Sequence, residues 1–331
     1  GRDIGTIVFP KAELKIFMTS KLLGCINMPS KTILIGSTGF LGPAFLKIDP
    51  AITAVGRSVP AYDLHNEFIA LGNNLDFSVL DRVSFDNVIF LIGSSDHKML
   101  NAHPTMAFEK NVIALATFLT YLKASGRKVN KIINFTTMLQ YDSSQMKIPC
   151  DENQPRNPYV NNYVMSKYVS ELITHQYRDI FSIIDVRISN VYGPTSLYRP
   201  DIVPSVIWSI LEKGKASVWN KSPKRDFIFV EDAVFAILEL IKTSYSGPIN
   251  LGSGVSSSVH ELCAHLEVLA GISIKDEAIP VTGHMEFCQD ISLIKSITNW
   301  EPQFSLANGL KKTFYEMQRL HRDRITNQIS K

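Results

Sequence analysis

A tyrosine and a lysine four positions apart are the side chains of this sequence best suited to move a proton. Tyr163 and Lys167 stand in the segment YVMSK, where apolar residues recur at helical spacing, so they are expected one turn apart on one helix face. A phenol with a pKa of about 10 is a poor acid or base at neutral pH, and a neighbouring ammonium group stabilises its phenolate. The pair predicts general acid–base catalysis. Because this spacing is common by chance, the prediction depends on the elements around it.

A glycine-rich turn supplies the first of those elements. The segment GSTGFLG at 36–42 follows the apolar run TILIG and opens a helix at about 40–47. Gly36 suits a tight turn, Gly39 lets the backbone approach a pyrophosphate, and Gly42 allows close packing of helix on strand. The helix N-terminus offers free N–H groups to phosphates. A dinucleotide is therefore predicted to bind at the glycines and at the residues between them, Thr38, Phe40 and Leu41.

Apolar runs that alternate with helical stretches predict the fold. Strands buried on both faces are expected at 32–36, 87–93, 131–137 and 182–189, with a further strand at 52–57. Helices are expected at 106–124 and 163–178. This order indicates an α/β fold, a Rossmann-type doubly wound parallel sheet with a smaller mixed C-terminal substrate lobe. The segment LDFSVLD at 75–81 fits either a third strand or part of a crossover helix.

The glycine spacing G-x-x-G-x-x-G resembles that of the extended short-chain dehydrogenases/reductases, the NAD-dependent epimerase/dehydratase family of nucleotide-sugar enzymes. The resemblance runs from Met28 to about Leu310 in the family's order. It implies that Thr137, at the end of the strand 131–137, hydrogen-bonds the reacting carbonyl or hydroxyl group, with Thr136 as the alternative. Read without the resemblance, two threonines that end a strand are ordinary β-sheet residues.

The resemblance assigns further residues to the cofactor and the substrate. Tyr163 would pass the proton, and Lys167 would lower its pKa and orient the cofactor ribose. Asn111, in EKNVIAL, matches an asparagine of the family's helix before the catalytic strand, and Gly93 keeps the small residue expected near the cofactor.

Two segments of the second half of the chain match the segments that bind the substrate in the same family. RISNVYGP at 187–194 would bring Asn190 to the sugar diphosphate, and RDFIFVED at 225–232 would bring Arg225 to the pyrophosphate. The alternatives are a loop asparagine and a surface arginine.

The sequence departs from the family pattern at two places, one of which bears on the reaction and the other on the binding of the diphosphate. Dehydratases of the family carry Asp-Glu after the threonine, whereas Met138 and Leu139 stand here and cannot protonate a leaving hydroxyl group. Many epimerases of the family carry a second phosphate-binding arginine, and Phe287-Cys288-Gln289 stand there in this chain, so no second contact to the diphosphate is assigned. Gly56 and Arg57, at the end of the second strand, suit an exchangeable NADP and so favour reduction of a 4-keto-6-deoxy sugar on a nucleoside diphosphate. One alternative is a nucleotide-sugar 4-epimerase with tightly bound NAD. Another is a non-catalytic dinucleotide-binding sensor or scaffold, whose mark would be loss of the tyrosine or lysine.

The end of the second strand bears on the choice of cofactor. An acidic residue there would hydrogen-bond the ribose 2′-hydroxyl of NAD, but this chain has Gly56 and Arg57. Arginine can pair with a 2′-phosphate, so Arg57 favours NADP over NAD. A solvated Arg57 without a cofactor role is the alternative.

Composition and organisation complete the expectations. Residues 1–27 are expected to be an extension outside the fold. Residues 28–190 are expected to form the NAD(P)-binding domain, to which 227–250 return, and residues 191–331 are expected to form mostly the substrate lobe.

A net charge of +3 on 331 residues gives no basis for a nucleic-acid partner, and no apolar run reaches the length of a membrane span. Four scattered cysteines indicate neither a metal site nor disulfides, as in a cytoplasmic protein. The family resemblance adds a homodimer formed through helices 106–124 and 163–178.

Overall fold

A computed structural model describes residues 30–59, 65–281 and 283–329. The predicted N-terminal extension, residues 1–27, lies outside the described residues. The strands, in chain order, are β1 (Thr32–Ile35), β2 (Thr53–Gly56), β3 (Phe68–Ala70), β4 (Asn87–Phe90), β5 (Lys131–Thr137), β6 (Ile183–Ile188), β7 (Asn190–Tyr192), β8 (Ala216–Val218), β9 (Lys224–Phe229), β10 (Gly247–Leu251), β11 (Ser256–Ser258) and β12 (Ile274–Asp276).

The helices alternate with these strands through the first half of the chain. They are α1 (Gly42–Ile48), α2 (His97–Ala102), α3 (Pro104–Phe108), α4 (Ala114–Ala124), α5 (Asn162–Tyr177), α6 (Ile202–Lys213), α7 (Val230–Leu240), α8 (Val259–Ala270), α9 (Ser292–Ile297) and α10 (Leu306–Ile329). Short 3₁₀ turns span Phe77–Arg82, Met138–Gln140 and Pro158–Val160, and a π-helical turn spans Glu109–Ile113.

Seven parallel strands form the main sheet, in the order β10-β6-β5-β4-β1-β2-β3. The central strands are buried along most of their length because helices cover both faces of the sheet. One core cluster packs β1 and β5 against α7, and another packs the opposite face against α4. The predicted doubly wound α/β fold is confirmed.

The order of the strands reverses between β1 and β4. In open parallel sheets a ligand crevice forms at such a reversal, outside the carboxyl ends of the strands. The glycine turn follows β1 at this point, and Gly93 lies three residues after the end of β4. The topology therefore places a binding crevice between these two loops.

The segment 75–81, for which the sequence allowed a strand or a helix, enters a 3₁₀ turn. Asp76 caps that turn by accepting a hydrogen bond from the backbone N–H of Ser78 at 3.0 Å, and Phe77 and Leu80, three residues apart, are buried. This spacing fits the three residues per turn of a 3₁₀ helix. The third strand, Phe68–Ala70, comes before this segment.

The C-terminal part of the chain builds a second core. The small sheet β11-β9-β7 and the pair β12-β8 pack with α6, α8 and α10. The chain returns to the main sheet at β10, which pairs with β6, and α7 packs in the core of that sheet. The domain limits proposed from the sequence stay a prediction.

The described part of the chain gives no helix long and apolar enough to cross a membrane. Within the same residues no group of three or more His, Cys, Asp or Glu side chains could hold a metal ion, and Cys150, Cys263 and Cys288 are free and buried. Ile113 and Leu172, in the two segments expected at a dimer interface, are 55% and 45% exposed. The homodimer stays a prediction.

Candidate active site

A cavity of about 440 Å³ opens at the reversal of the strand order and extends toward the second core. Nine of the predicted site residues line it: Gly39, Phe40, Leu41, Gly93, Thr137, Tyr163, Lys167, Asn190 and Arg225. The other five, Gly36, Thr38, Gly42, Arg57 and Asn111, do not line this cavity. The glycine turn, the tyrosine and lysine, and the two predicted substrate residues thus share one space.

The three glycines of the turn are needed for different reasons. Gly36 has a φ of +91°, and a β-carbon on Gly42 would lie 1.8 Å from the carbonyl oxygen of Ser37, so the fold itself requires both. A β-carbon on Gly39 would meet nothing closer than the carbonyl oxygen of Gly36 at 3.5 Å. Gly39 is exposed at the cavity. A glycine that protein packing does not require fits the close approach of a ligand's phosphates.

Tyr163 lies in the first turn of α5, where the side chain of Asn161 caps the helix by accepting a hydrogen bond from Val164 N–H at 2.9 Å. Its side chain is buried, with 6% of the residue exposed. Burial raises the pKa of Tyr163 to about 12, and a hydrogen bond with Thr137 acts in the opposite direction. The phenol is therefore neutral at physiological pH and available as a proton donor.

Lys167 lies one turn further along α5 and reaches the end of β5. Its Nζ donates a hydrogen bond to the carbonyl oxygen of Phe135 at 2.9 Å. Burial lowers the pKa of Lys167 to about 8. A β-carbon on Gly93 would lie 3.2 Å from this Nζ, so the small residue at position 93 leaves room for the ammonium group at the cavity wall.

The two threonines at the end of β5 point to different partners. The Thr136 hydroxyl donates to the carbonyl oxygen of Val186 in β6 at 3.3 Å. The Thr137 hydroxyl lies close enough to the Tyr163 phenol to lower its pKa, and it accepts from the backbone N–H of Leu139 at 3.2 Å. Of the two hydroxyl groups, the one on Thr137 is therefore beside the phenol.

Asn111 connects the loop after β4 to the helix that carries Tyr163. Its Oδ1 accepts from Ser94 N–H at 2.8 Å, and its Nδ2 donates to the Ser166 hydroxyl at 3.0 Å. That hydroxyl in turn donates to the carbonyl oxygen of Tyr163 at 2.8 Å. Asn111 lies in the π-helical turn, a distortion that is frequent at functional sites. Its predicted contact with the cofactor stays a prediction.

Asn190 and Arg225 also line the cavity. Asn190 Nδ2 donates to the carbonyl oxygen of Asp226 at 3.2 Å, and Arg225 Nη1 donates to that of Lys224 at 2.8 Å. Burial lowers the pKa of Arg225. Among the described residues no carboxylate forms an ion pair with this guanidinium, so its charge is available to an anion.

Arg57 lies outside the cavity, at the carboxyl end of β2. The backbone N–H groups of Gly36 and Ser37 donate to the carbonyl oxygen of Val55, so this strand end lies beside the glycine turn. Arg57 is exposed and, within the part of the chain that the structure describes, has no ion pair.

Sequence reasoning missed several polar side chains that also line the cavity, among them His97, Arg199 and Asp201. The His97 ring lies against that of Tyr163, with centroids 4.2 Å apart. Arg199 pairs with Asp201 at 2.6 Å and places its guanidinium 4.2 Å from the centroid of the Phe40 ring. His97 could have been found because it closely follows a central parallel strand. Arg199 and Asp201 lie in the loop after β7, a strand of the small sheet and not of the main one, so only the path of that loop brings them here.

Known proteins share both sequence and fold with this chain. A UDP-glucuronate 4-epimerase of Thermodesulfobacterium geofontis is 26% identical over 311 residues, which are 85% of this chain and 94% of that protein. A dTDP-4-dehydro-6-deoxy-D-allose reductase of Streptomyces bikiniensis is 30% identical over 162 residues, 46% of this chain and 49% of the reductase. The crystal structure of the UDP-glucose 4-epimerase of Thermotoga maritima, determined with UDP-glucose, superposes with a TM-score of 0.78 at 20% identity. The superposed region covers 87% of this chain and 99% of the epimerase chain.

The family model "NAD dependent epimerase/dehydratase family" matches residues 32–252, which include the glycine turn, Tyr163, Lys167 and Arg225. Its members bind NAD or NADP. The relatives are nucleotide-sugar epimerases, dehydratases and reductases, and the non-catalytic alternative is set aside because the chain keeps both Tyr163 and Lys167 in the cavity. The chain therefore belongs to the NAD-dependent epimerase/dehydratase family and is an enzyme of the extended short-chain dehydrogenase type.

Proposed function

We propose that the protein reduces the 4-keto group of a 6-deoxy sugar carried on a nucleoside diphosphate, with NADPH as the reductant. The observation that carries this proposal is one cavity that the glycine turn, Tyr163, Thr137 and Arg225 all line. A dinucleotide at the turn and a diphosphate at the arginine would bring their reactive ends together at the phenol. When bound, the nicotinamide supplies the hydride.

In the proposed reaction the Tyr163 and Thr137 hydroxyl groups hold the carbonyl oxygen of the sugar. As hydride adds to the carbonyl carbon, the electron pair of the C=O bond moves to oxygen, and the oxygen takes the proton of Tyr163. The Lys167 ammonium stabilises the phenolate that remains. Solvent then returns a proton to the phenolate. The raised pKa of Tyr163 supports this direction, because the resting phenol carries the proton that reduction consumes.

The residues after Thr137 support reduction over dehydration. Met138 is buried against Tyr141 and Phe287, and Leu139 lines the cavity. Neither side chain can protonate a departing hydroxyl group. An apolar wall next to the phenol suits the methyl group of a 6-deoxy sugar.

A 4-epimerase is the second candidate, and the long match to the UDP-glucuronate 4-epimerase favours it. With bound NAD as the oxidant, the Tyr163 phenolate would take the proton of the hydroxyl group as hydride leaves the carbon, and would return it when the hydride adds to the other face of the sugar. Lys167 and Thr137 would keep the roles given above. Such an enzyme keeps its dinucleotide through both half-reactions, so the cofactor shows no net change.

The test combines absorbance with one variant. Purified protein is mixed with NADPH and a 4-keto-6-deoxy sugar nucleotide, and we expect the nicotinamide absorbance to fall in proportion to the sugar reduced. Tyr163→Phe should lower kcat at least about 100-fold, since it lacks the transferred proton, yet bind the dinucleotide as before. Interconversion of two sugar nucleotides by bound NAD without an absorbance change would establish the epimerase instead. Full activity of Tyr163→Phe would remove the tyrosine from the mechanism.

A further inference from the structure

His97 presents an imidazole to the cavity directly beside the proton donor. Its ring and that of Tyr163 have centroids 4.2 Å apart and planes 38° apart. Both rings line the same cavity. Because Tyr163 must touch the oxygen of the reacting carbon, a group packed on its ring is within reach of the neighbouring substituents of the sugar.

The backbone that carries His97 is fixed by a helix cap, while the imidazole nitrogens have no hydrogen-bond partner among the described residues. The Asp96 carboxylate caps α2 by accepting from Met99 N–H at 3.0 Å, which fixes the first residue of that helix, His97. Within the described residues neither ring nitrogen forms a hydrogen bond. A part-buried imidazole in a binding cavity without a protein partner is a polar group left for a ligand.

Burial favours the neutral form of His97, and this form indicates which chemical group of a ligand it can bind. Burial lowers the pKa of His97, and Asp201 and Asp96 act in the opposite direction. Asp201 is itself paired with Arg199. A neutral imidazole has one N–H donor and one acceptor nitrogen, which together match a hydroxyl group that both donates and accepts.

We propose that His97 determines substrate specificity by hydrogen-bonding the C3 hydroxyl group of the sugar. The inference rests on the proposed reaction at C4. Of the two carbons next to C4, C5 carries the ring oxygen and the C6 carbon, so the adjacent hydroxyl group is the one on C3. A sugar without that hydroxyl leaves the imidazole in the cavity without a partner.

The test uses His97→Phe, which keeps an aromatic ring against Tyr163 and removes both nitrogens. The substrates are the 4-keto-6-deoxy sugar nucleotide and its 3-deoxy analogue. We expect the wild type to prefer the parent sugar by at least about 10-fold in kcat/KM, the effect of one buried hydrogen bond. In His97→Phe the preference should fall close to one, through loss of activity on the parent and not on the analogue. His103→Phe, at the exposed end of α2, is the matched control and should keep the wild-type preference.

Two further measurements separate this proposal from the proposed function. If the wild type does not reduce the parent sugar, titration calorimetry of both sugar nucleotides still measures the preference, and it should again be lost in His97→Phe. His97→Asn, which keeps a donor and an acceptor in a smaller side chain, should retain part of the preference and covers the case in which the phenylalanine variant does not fold. An unchanged preference in folded His97→Phe would overturn the assignment and leave the imidazole as packing for Tyr163.

Discussion

Gly42 and Ser37 touch across the glycine turn so closely that a β-carbon on Gly42 would lie 1.8 Å from the Ser37 carbonyl oxygen. Backbone atoms cannot move aside as a flexible side chain can. Gly42→Ala should therefore displace α1 from the turn and cost about 1 to 3 kcal/mol of unfolding free energy, the usual range for overpacking. Thermal or denaturant unfolding of the variant would measure this loss.

Gly39→Ala is the matched variant, because its β-carbon would meet the Gly36 carbonyl oxygen at 3.5 Å, an ordinary contact. It should unfold like the wild type and yet bind the dinucleotide at least about 10-fold more weakly, since the methyl group occupies the space proposed for the phosphates. Fluorescence titration with NADPH measures this affinity. Wild-type affinity in Gly39→Ala would show that the phosphates do not approach this residue.

The low pKa of Lys167, about 8, predicts a pH dependence of activity. In the proposed mechanism the charged ammonium stabilises the Tyr163 phenolate, and this charged form is lost as the pH rises through that value. We expect kcat/KM for the cofactor, which reports groups of the free enzyme, to fall above about pH 8. In Lys167→Arg the guanidinium stays charged, so the decline should disappear even if the maximal rate is lower. A wild-type profile that is flat up to pH 10 would contradict the role given to the ammonium.

Arg225 gives a prediction for the substrate side of the cavity. Its guanidinium has no ion pair among the described residues, so Arg225→Ala should remove a charge-assisted contact to the diphosphate of the sugar nucleotide. The expected loss is about 1.5 to 3 kcal/mol of binding free energy, with dinucleotide affinity unchanged. Lys224→Ala is the control, because this neighbour is 51% exposed and pairs with Glu286. If calorimetry gave the two variants equal affinities for the sugar nucleotide, Arg225 would not bind the diphosphate.

The sequence predicts the main sheet well, because β1, β4, β5 and β6 are largely buried and mostly apolar, although β5 and β6 also carry the buried polar residues Asn134, Asp185 and Arg187. It does not predict β3, which has three residues at the sheet edge, too few to show a period. The helix expected at 106–124 contains a π-helical turn, which apolar spacing does not reveal.

The residues of the site also differ in whether local sequence spacing can predict them. Residues in spaced motifs, such as Tyr163 and Lys167, are found because a helix fixes which side chains share a face. Asn111 matches its motif, but only the structure shows that its amide binds Ser94 and Ser166. Arg199 and Asp201 reach the cavity only through the path of the loop after β7, and no local sequence pattern encodes that path.

The choice between NADPH and NADH is expected to depend on Arg57. This residue is exposed at the carboxyl end of β2, beside the glycine turn, and forms no ion pair within the described chain. In a Rossmann domain that strand end meets the adenine ribose, where arginine pairs with a 2′-phosphate and a carboxylate would instead bind the 2′-hydroxyl. We therefore expect NADPH to bind more tightly than NADH.

Arg57→Ala should reduce that preference at least about 10-fold by weakening NADPH alone, because NADH has no phosphate at this position. Arg82→Ala serves as the control, since Arg82 is an exposed arginine that ends the 3₁₀ turn away from the cavity and carries the same charge. Both affinities are measured by fluorescence titration at one ionic strength, because salt screens exposed charges. A preference for NADH in the wild type, unchanged in Arg57→Ala, would assign the arginine to solvent and favour the epimerase with its retained NAD.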